Sequence, residues 1–348
     1  MAKLKTDRVL ILPLFMPAHE HPAPSSHPGA RPPLVAIVGP TAVGKTALAL
    51  GLARHIPVEI VSVDSRQVYR GMDVGTAKPT QDERARVPHH LVDVVEPTEE
   101  FGLATYLELA RAAIGDIHQR GRLPLLVGGT GQYLWALLEA WSVPRVPPDP
   151  AYRREMEAFG TAHGPEALHA RLMDLDPKAA ATIDPRNQRR VIRALEVIHQ
   201  TAVPFSEVRR RGPQRYRSLI LGLTLPRAEL YRRIDQRADH MLGAGWLEEV
   251  RRLLRGGASR LHPAMASVGY GELAAHLSGE LSWAEAVRHT KSRSHRVARH
   301  QYAWFRLADP RIHWLEAGPG AAQQATHLVT DFLVATGWAY ATMGFPTK

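Results

Sequence analysis

The octapeptide Gly39-Pro-Thr-Ala-Val-Gly44-Lys45-Thr46 limits what this chain can fold into more than any other feature. A short, wholly apolar run (34–38) precedes it, and a helical stretch (45–54) follows. A glycine-rich turn between a buried strand and a helix points backbone N–H groups inward, around phosphate oxygens. The helix start adds partial positive charge. Lys45 supplies a full charge, and the Thr46 hydroxyl can hold Mg²⁺. Gly39, Pro40, Thr41, Ala42, Val43, Gly44, Lys45 and Thr46 are therefore the candidate phosphate cradle. The motif identifies phosphates and not a reaction. Alone it favours nucleotide hydrolysis or phosphoryl transfer.

The surrounding sequence alternates strand and helix. Strands are predicted at 34–38, 58–64, 90–95, 123–129 and 217–225, with helices at 45–54 and 103–119. Strands separated by helices imply right-handed crossovers and a parallel sheet. Between 143 and 150 a Pro-rich hinge interrupts this pattern. Helical segments at 150–159, 164–175 and 185–200 follow, the last with Asp184 as N-cap and Pro185 at its first position. The expected fold class is α/β, a P-loop NTPase-like parallel sheet core flanked by helices, with an inserted all-helical subdomain. The expected domains are a disordered N-terminal extension (1–33), rich in Pro, Ser and His towards its end, a discontinuous core (34–145 and 207–345), and a helical insertion (146–206).

A chain of 348 residues is long for one hydrophobic core, which suits a core with an insertion. It has no cysteine, so disulfides, thiolate metal sites and a cysteine nucleophile are excluded. No apolar run reaches the ~20 residues that span a bilayer. The basic, apolar start lacks a small-residue cleavage site and is interrupted by Pro13 and Pro17. A cytoplasmic protein without membrane attachment is expected. The net charge of +10 suggests either a polyanionic partner, of which nucleic acid is the commonest, or a basic surface that only aids solubility, and the placement of the charge has to decide between them.

Asp64 and Ser65 lie at the carboxyl end of the second predicted strand, where open parallel sheets place their ligands. Asp64 either faces the phosphates or caps a turn, and position alone does not separate these. Six segments together have a further meaning: GPTAVGKT (39–46), DSRQVYRGMDVGTAKP (64–79), PHHLVDV (88–94), VGGTGQY (127–133), DPRNQRRVIRALEV (184–197) and SVGYGEL (267–273). In this order they resemble the tRNA dimethylallyltransferases, or tRNA isopentenyltransferases. The resemblance covers roughly residues 34 to 306, and the 64–79 block is its most specific part.

The resemblance implies transfer of the dimethylallyl group of dimethylallyl diphosphate to N6 of the adenosine immediately 3′ of the anticodon, in tRNAs reading codons that begin with U. The products are N6-(dimethylallyl)adenosine and diphosphate. It implies that the cradle holds the prenyl donor's diphosphate, with Mg²⁺ as cofactor and Thr46 as its ligand. Asp64 takes the role of base for the weakly nucleophilic N6. Loop amides, Lys45 and Thr46 stabilise the departing anion. Thr41 contacts the donor and orients the reaction. A diphosphate-clamping arginine is expected on the helix after the late strand. Arg233 and Arg237, four apart on one face, are the candidates, and family spacing favours Arg237.

Two basic clusters fit an RNA partner. Arg186, Arg189, Arg190, Arg193, Arg209, Arg210, Arg211, Arg215 and Arg217 are opposed only by Glu196 and Glu207. Arg288, Lys291, Arg293, Arg296, Arg299 and Arg306 follow later. Arg293, Arg296 and Arg299 are expected to form one helical stripe along phosphates, on a helix whose start is capped by Ser282 and Glu285. By family match, Asp64, Ser65, Arg66, Gln67, Thr130, Arg153, Arg189, Arg190, Arg193, Val268, Gly269 and Tyr270 line the path of the tRNA anticodon stem-loop, joined by Arg296 and Arg299. The sequence departs from the family at Gly271, His295 and His300, where arginines are usual. The family resemblance leans towards a monomer. The competing readings are a small-molecule or nucleotide kinase and a non-catalytic RNA-binding ATPase.

Overall fold

The computed structural model describes residues 31–143, 146–208 and 211–338. The extension expected to be disordered lies outside the described residues up to position 30, as do Arg209, Arg210 and the last residues assigned to the core. Its final residues are ordered: Pro33 opens the first strand, and Pro32 O accepts from Arg217 N at 3.0 Å.

In chain order the elements begin with β1 (Pro33–Val38), α1 (Lys45–Leu52), β2 (Val58–Val63), α2 (Gln81–Arg86) and β3 (His89–His90). They continue with α3 (Leu103–Gln119), β4 (Leu123–Gly128) and α4 (Gly131–Leu138). The helices α5 (Pro150–His163), α6 (Pro165–Leu175), α7 (Pro177–Ala180), α8 (Gln188–Thr201) and α9 (Phe205–Val208) follow. The chain returns to the sheet with β5 (Arg217–Thr224), then α10 (Arg227–Gly243), α11 (Trp246–Arg255), α12 (Tyr270–Leu277), α13 (Trp283–Trp304), β6 (Ile312–Glu316) and α14 (Ala321–Thr336).

All six strands pair in parallel, in the order β3-β2-β4-β1-β5-β6. β1 and β4 are central and buried on both faces, which is why they read as continuous apolar runs. One face packs Val35 and Ile37 against Leu48, Leu52, Ile234 and, from α14, Ala325 and Val329. The other packs Leu34, Ala36 and Val61 against Tyr106, Ile114 and Leu134 of α3 and α4. A third cluster joins Val68, Tyr69 and Met72 to α11 and α12. The helices α5 to α8 close around a cluster of their own, centred on Leu168, Leu172, Val191 and Leu195.

Three expectations require correction. The strand predicted at 90–95 is only β3, because Leu91 and Asp93 take φ of 61° and 57°, which no strand allows. Asp93 is turned to meet Lys78 and Arg84 at 2.6 and 2.8 Å. The helix expected from Pro185 starts at Gln188 with Asn187 as N-cap, since the Asp184 carboxylate is taken by the Arg186 amide and guanidinium. β6 lies beyond 217–225, the last strand predicted from the sequence. It is a five-residue edge strand containing His313 and Glu316, and it pairs with β5 alone.

Candidate active site and nucleic-acid interface

Parallel pairing brings the carboxyl ends of β1, β2 and β4 to one edge of the sheet. The turns that leave them, at Gly39, Asp64 and Gly129, face one cleft of about 1380 Å³. Close approach fixes two glycines there. A Cβ on Gly39, whose φ is +140°, would lie 2.5 Å from the Leu223 carbonyl oxygen, and one on Gly128 would lie 2.1 Å from that of Val63. Gly44, at φ 104°, turns the chain into α1.

Lys45 Nζ donates to Gly39 O at 3.0 Å and Pro40 O at 2.8 Å, so the lysine folds back over its own loop. Burial first and nearby Arg237 second lower its pKa, against the opposing pull of Asp64, to about 7. Arg237 is likewise held below the ordinary arginine range by burial, with Asp64 pulling the other way. Among the described residues Arg237 has no hydrogen-bond partner, whereas Arg233 pairs with Glu229 of its own helix at 2.7 Å. Both line the cleft. A cationic pocket with a free guanidinium is a site for a phosphate-rich ligand.

Asp64 caps its turn and also lines the cleft. Its Oδ1 accepts from the amides of Arg66 at 2.8 Å and Gln67 at 3.3 Å, capping the turn. Its Oδ2 has no partner among the described residues, and the side chain lines the cleft. Ser65 N donates to Thr130 Oγ1 at 3.1 Å, tying this turn to the one after β4. Gln67 is turned inward, linking Ser62 Oγ to the Thr76 and Ala77 carbonyls. The 64–79 segment is anchored again where buried Glu249 of α11 accepts from the amides of Asp73, Val74 and Gly75. Lys78, almost fully buried, binds Asp73, Asp93 and Tyr69 O.

The profile of the IPP transferase family matches residues 67–308, and that of the isopentenyl transferases matches residues 32–89. The chain belongs to the IPP transferase family. A tRNA dimethylallyltransferase of Roseiflexus sp. (strain RS-1) is 53% identical over 84% of this chain and 95% of its own length. One from Thermomicrobium roseum is 49% identical over 84% of this chain and 89% of its own. Among solved structures, the tRNA isopentenylpyrophosphate transferase of Bacillus halodurans aligns with a TM-score of 0.64 at 41% identity, covering 87% of this chain and 96% of that one. A eukaryotic dimethylallyltransferase described as acting on tRNA aligns at 0.73 with 26% identity, covering 90% of this chain and 82% of its own. The P-loop-like α/β fold is common to these neighbours, and the relatives' names support prenyl transfer over the kinase alternative.

The IPP transferase residues expected to meet RNA fall into two groups. Arg189 and Arg190 on α8 are exposed and unpaired among the described residues, as is Arg296 on α13. Val268 lines the cleft, and Arg66 reaches Pro263 O at 2.8 Å. Others are committed internally. Arg153 holds buried Glu196 through two bonds of 2.8 and 2.9 Å. Arg193 adds one of 2.5 Å and also binds Val146 O. Burial pushes the Glu196 carboxyl up, yet the bonds from Arg153, the Asp149 amide and Arg193 outweigh it and hold it below the usual range. Gly269 and Tyr270 are buried, so neither presents a surface to RNA. A Cβ on Gly269 would lie 2.1 Å from Trp246, and the Tyr270 hydroxyl donates to Glu249 at 2.6 Å.

The basic stripe expected on α13 splays apart. Steps of three advance a helix by 300°, so two steps rotate the side chain well away from its starting face. Arg293 pairs with Glu272 of α12, while Arg299 reaches the Tyr231 hydroxyl of α10 at 3.3 Å. His295 stacks on Tyr231 with centroids 4.2 Å apart and lies 2.9 Å from Asp235. Of the aromatics that end this helix, Phe305 is core and Tyr302 bonds Thr224, but Trp304 keeps 43% exposure in the cleft. Gln301 was not singled out by sequence reasoning. It accepts from Thr41 N at 2.8 Å and donates to Gly129 O at 3.1 Å.

Proposed function

We propose that the protein transfers the dimethylallyl group of dimethylallyl diphosphate to N6 of the adenosine immediately 3′ of the anticodon, in tRNAs reading codons that begin with U. One arrangement carries this reading: an unpartnered carboxylate oxygen of Asp64 shares a cleft with a cationic cradle of Lys45, Thr46 and Arg237. The C1–N6 bond forms as the C1–O bond to diphosphate breaks. The N6 proton passes to Asp64, and the electron pair leaves with diphosphate. Loop amides, Lys45 and Arg237 stabilise that anion where its charge develops. Thr41 lies where it can orient the donor.

Mg²⁺ fits the donor set. Among the described residues no three carboxylates or imidazoles gather to cage a metal. Thr46 lines the cleft, and among the described residues its hydroxyl has no partner, the arrangement suited to an ion held mainly by phosphate oxygens and water. When bound, Mg²⁺ would neutralise part of the leaving group's charge. The tRNA anticodon stem-loop enters across Arg66, Thr130 and Val268, steadied by Arg189, Arg190 and Arg296. The target base lies in a single-stranded loop, so its extrusion costs only a few kcal/mol. Among the described residues no helix is long and apolar enough to cross a membrane. The protein acts as a cytoplasmic monomer in this reading.

The test supplies radiolabelled dimethylallyl diphosphate, Mg²⁺ and unmodified tRNA with adenosine after the anticodon. Label should enter tRNA with wild type and fall by at least about 100-fold with Asp64→Asn. No incorporation by folded wild type, with phosphate released from ATP instead, sinks the reading.

A further inference from the structure

We infer that Gln301 is a positioning residue that sets the distance between the prenyl donor and the base that accepts the N6 proton. This rests on the reading that donor and adenosine meet between the P-loop and Asp64. Two hydrogen bonds carry it. The Gln301 carboxamide accepts from Thr41 N on the donor side and donates to Gly129 O on the other. Gly129 precedes Thr130, whose hydroxyl accepts from Ser65 N, the amide next to Asp64. A short run of bonds thus joins the loop under the diphosphate to the turn that carries the carboxylate. Apart from Lys45, Gln301 is the only side chain among the described residues that hydrogen-bonds the backbone of residues 39–44.

The fit on the Gly129 side is tight. A Cβ at that position would lie 2.1 Å from Gln301 Nε2, so only glycine admits the carboxamide. The helix bearing Gln301 is pinned one turn later, where Trp135 Nε1 donates to Trp304 O at 3.1 Å. A carboxamide is the side chain for this place, because it offers one acceptor and one donor on a rigid plane without charge. A charged group would compete with Lys45 and Asp64 for the ligands of the cleft. In a reaction between two held partners, misplacement by about 1 Å costs on the order of 100-fold in rate.

The experiment measures steady-state prenyl transfer to an anticodon stem-loop by wild type, Gln301→Ala, Gly129→Ala and Gln301→Glu, with folding followed by circular dichroism. For Gln301→Ala and Gly129→Ala, kcat should fall by about 100-fold while KM for the stem-loop and for the donor stays within about threefold. A kcat within about threefold of wild type in a folded variant overturns the inference. So does a raised donor KM with kcat preserved, which would make Gln301 a binding residue. Gln301→Glu keeps size and covers the case in which the smaller variants fail to fold. Its ionised form cannot donate to Gly129 O, but its protonated form can. Its kcat relative to wild type should therefore rise as pH falls towards the carboxyl range, and a flat ratio overturns the inference. Absence of transfer by wild type itself would instead sink the underlying reading of the function.

Discussion

Lys45 is a cation that the fold keeps close to losing its proton. With a pKa lowered from 10.5 to about 7, it is largely neutral above neutrality until an anion arrives. Binding diphosphate restores the charge, so donor binding above pH ~7 should take up a proton. Calorimetry in buffers of different ionisation enthalpy should show that uptake, and show it fade below pH ~7. The stability consequence has a definite sign. Between about 7 and 10.5 the unfolded chain binds more protons at this position than the folded one, so this residue's contribution to stability rises with pH across that window. An unchanged heat across buffers would mean the lysine is already charged when empty. At this scale the phosphate loop was legible because residues 39–46 are consecutive. The partners of Gln301 were not, since its bond to Thr41 spans 260 positions and leaves no periodic trace.

Among the elements, α11 governs the loop that carries the most specific block of the sequence. Glu249, itself buried, satisfies three consecutive part-buried amides and the buried Tyr270 hydroxyl. Glu249→Ala should destabilise the protein by about 1–3 kcal/mol for each buried group left unpaired, read from urea unfolding. Gly75→Ala should cost about 1–3 kcal/mol by overpacking, because its Cβ would stand 1.9 Å from Trp246 Nε1. A neutral result for either would remove α11 as the loop's anchor. The doubly buried strands and the amphipathic α3 could be read from pattern alone. β3 and β6 could not: one is broken by left-handed residues whose reason is an ion pair, the other is short, polar and paired on one side.

For the molecule as a whole, charge count and charge availability differ. The net charge of +10 predicts a polyanion, but some arginines that looked like its ligands hold the fold together. Arg189→Ala and Arg190→Ala should each reduce the salt slope of tRNA binding by about 1 and leave stability unchanged. Arg153→Ala should instead lower stability by about 1–3 kcal/mol, because Glu196 would stay buried with one partner fewer. The figure is below that for a wholly buried pair, as Arg153 retains solvent contact. Equal effects of all three on the salt slope would contradict this division. Sequence shows where arginines cluster, yet which of them a buried acid claims depends on how α5 meets α8.

The packing of α14 against α1 has a consequence for synthesis. Ala321, Ala325, Val329 and Leu333 complete the apolar wall behind the P-loop helix, and Ala322 Cβ would stand 3.5 Å from a Cβ on Gly51. A ribosome delivers the phosphate loop early and this wall late. Through most of translation the helix that follows the phosphate loop therefore lacks the wall it packs against, and its apolar face stays uncovered until the last helix emerges.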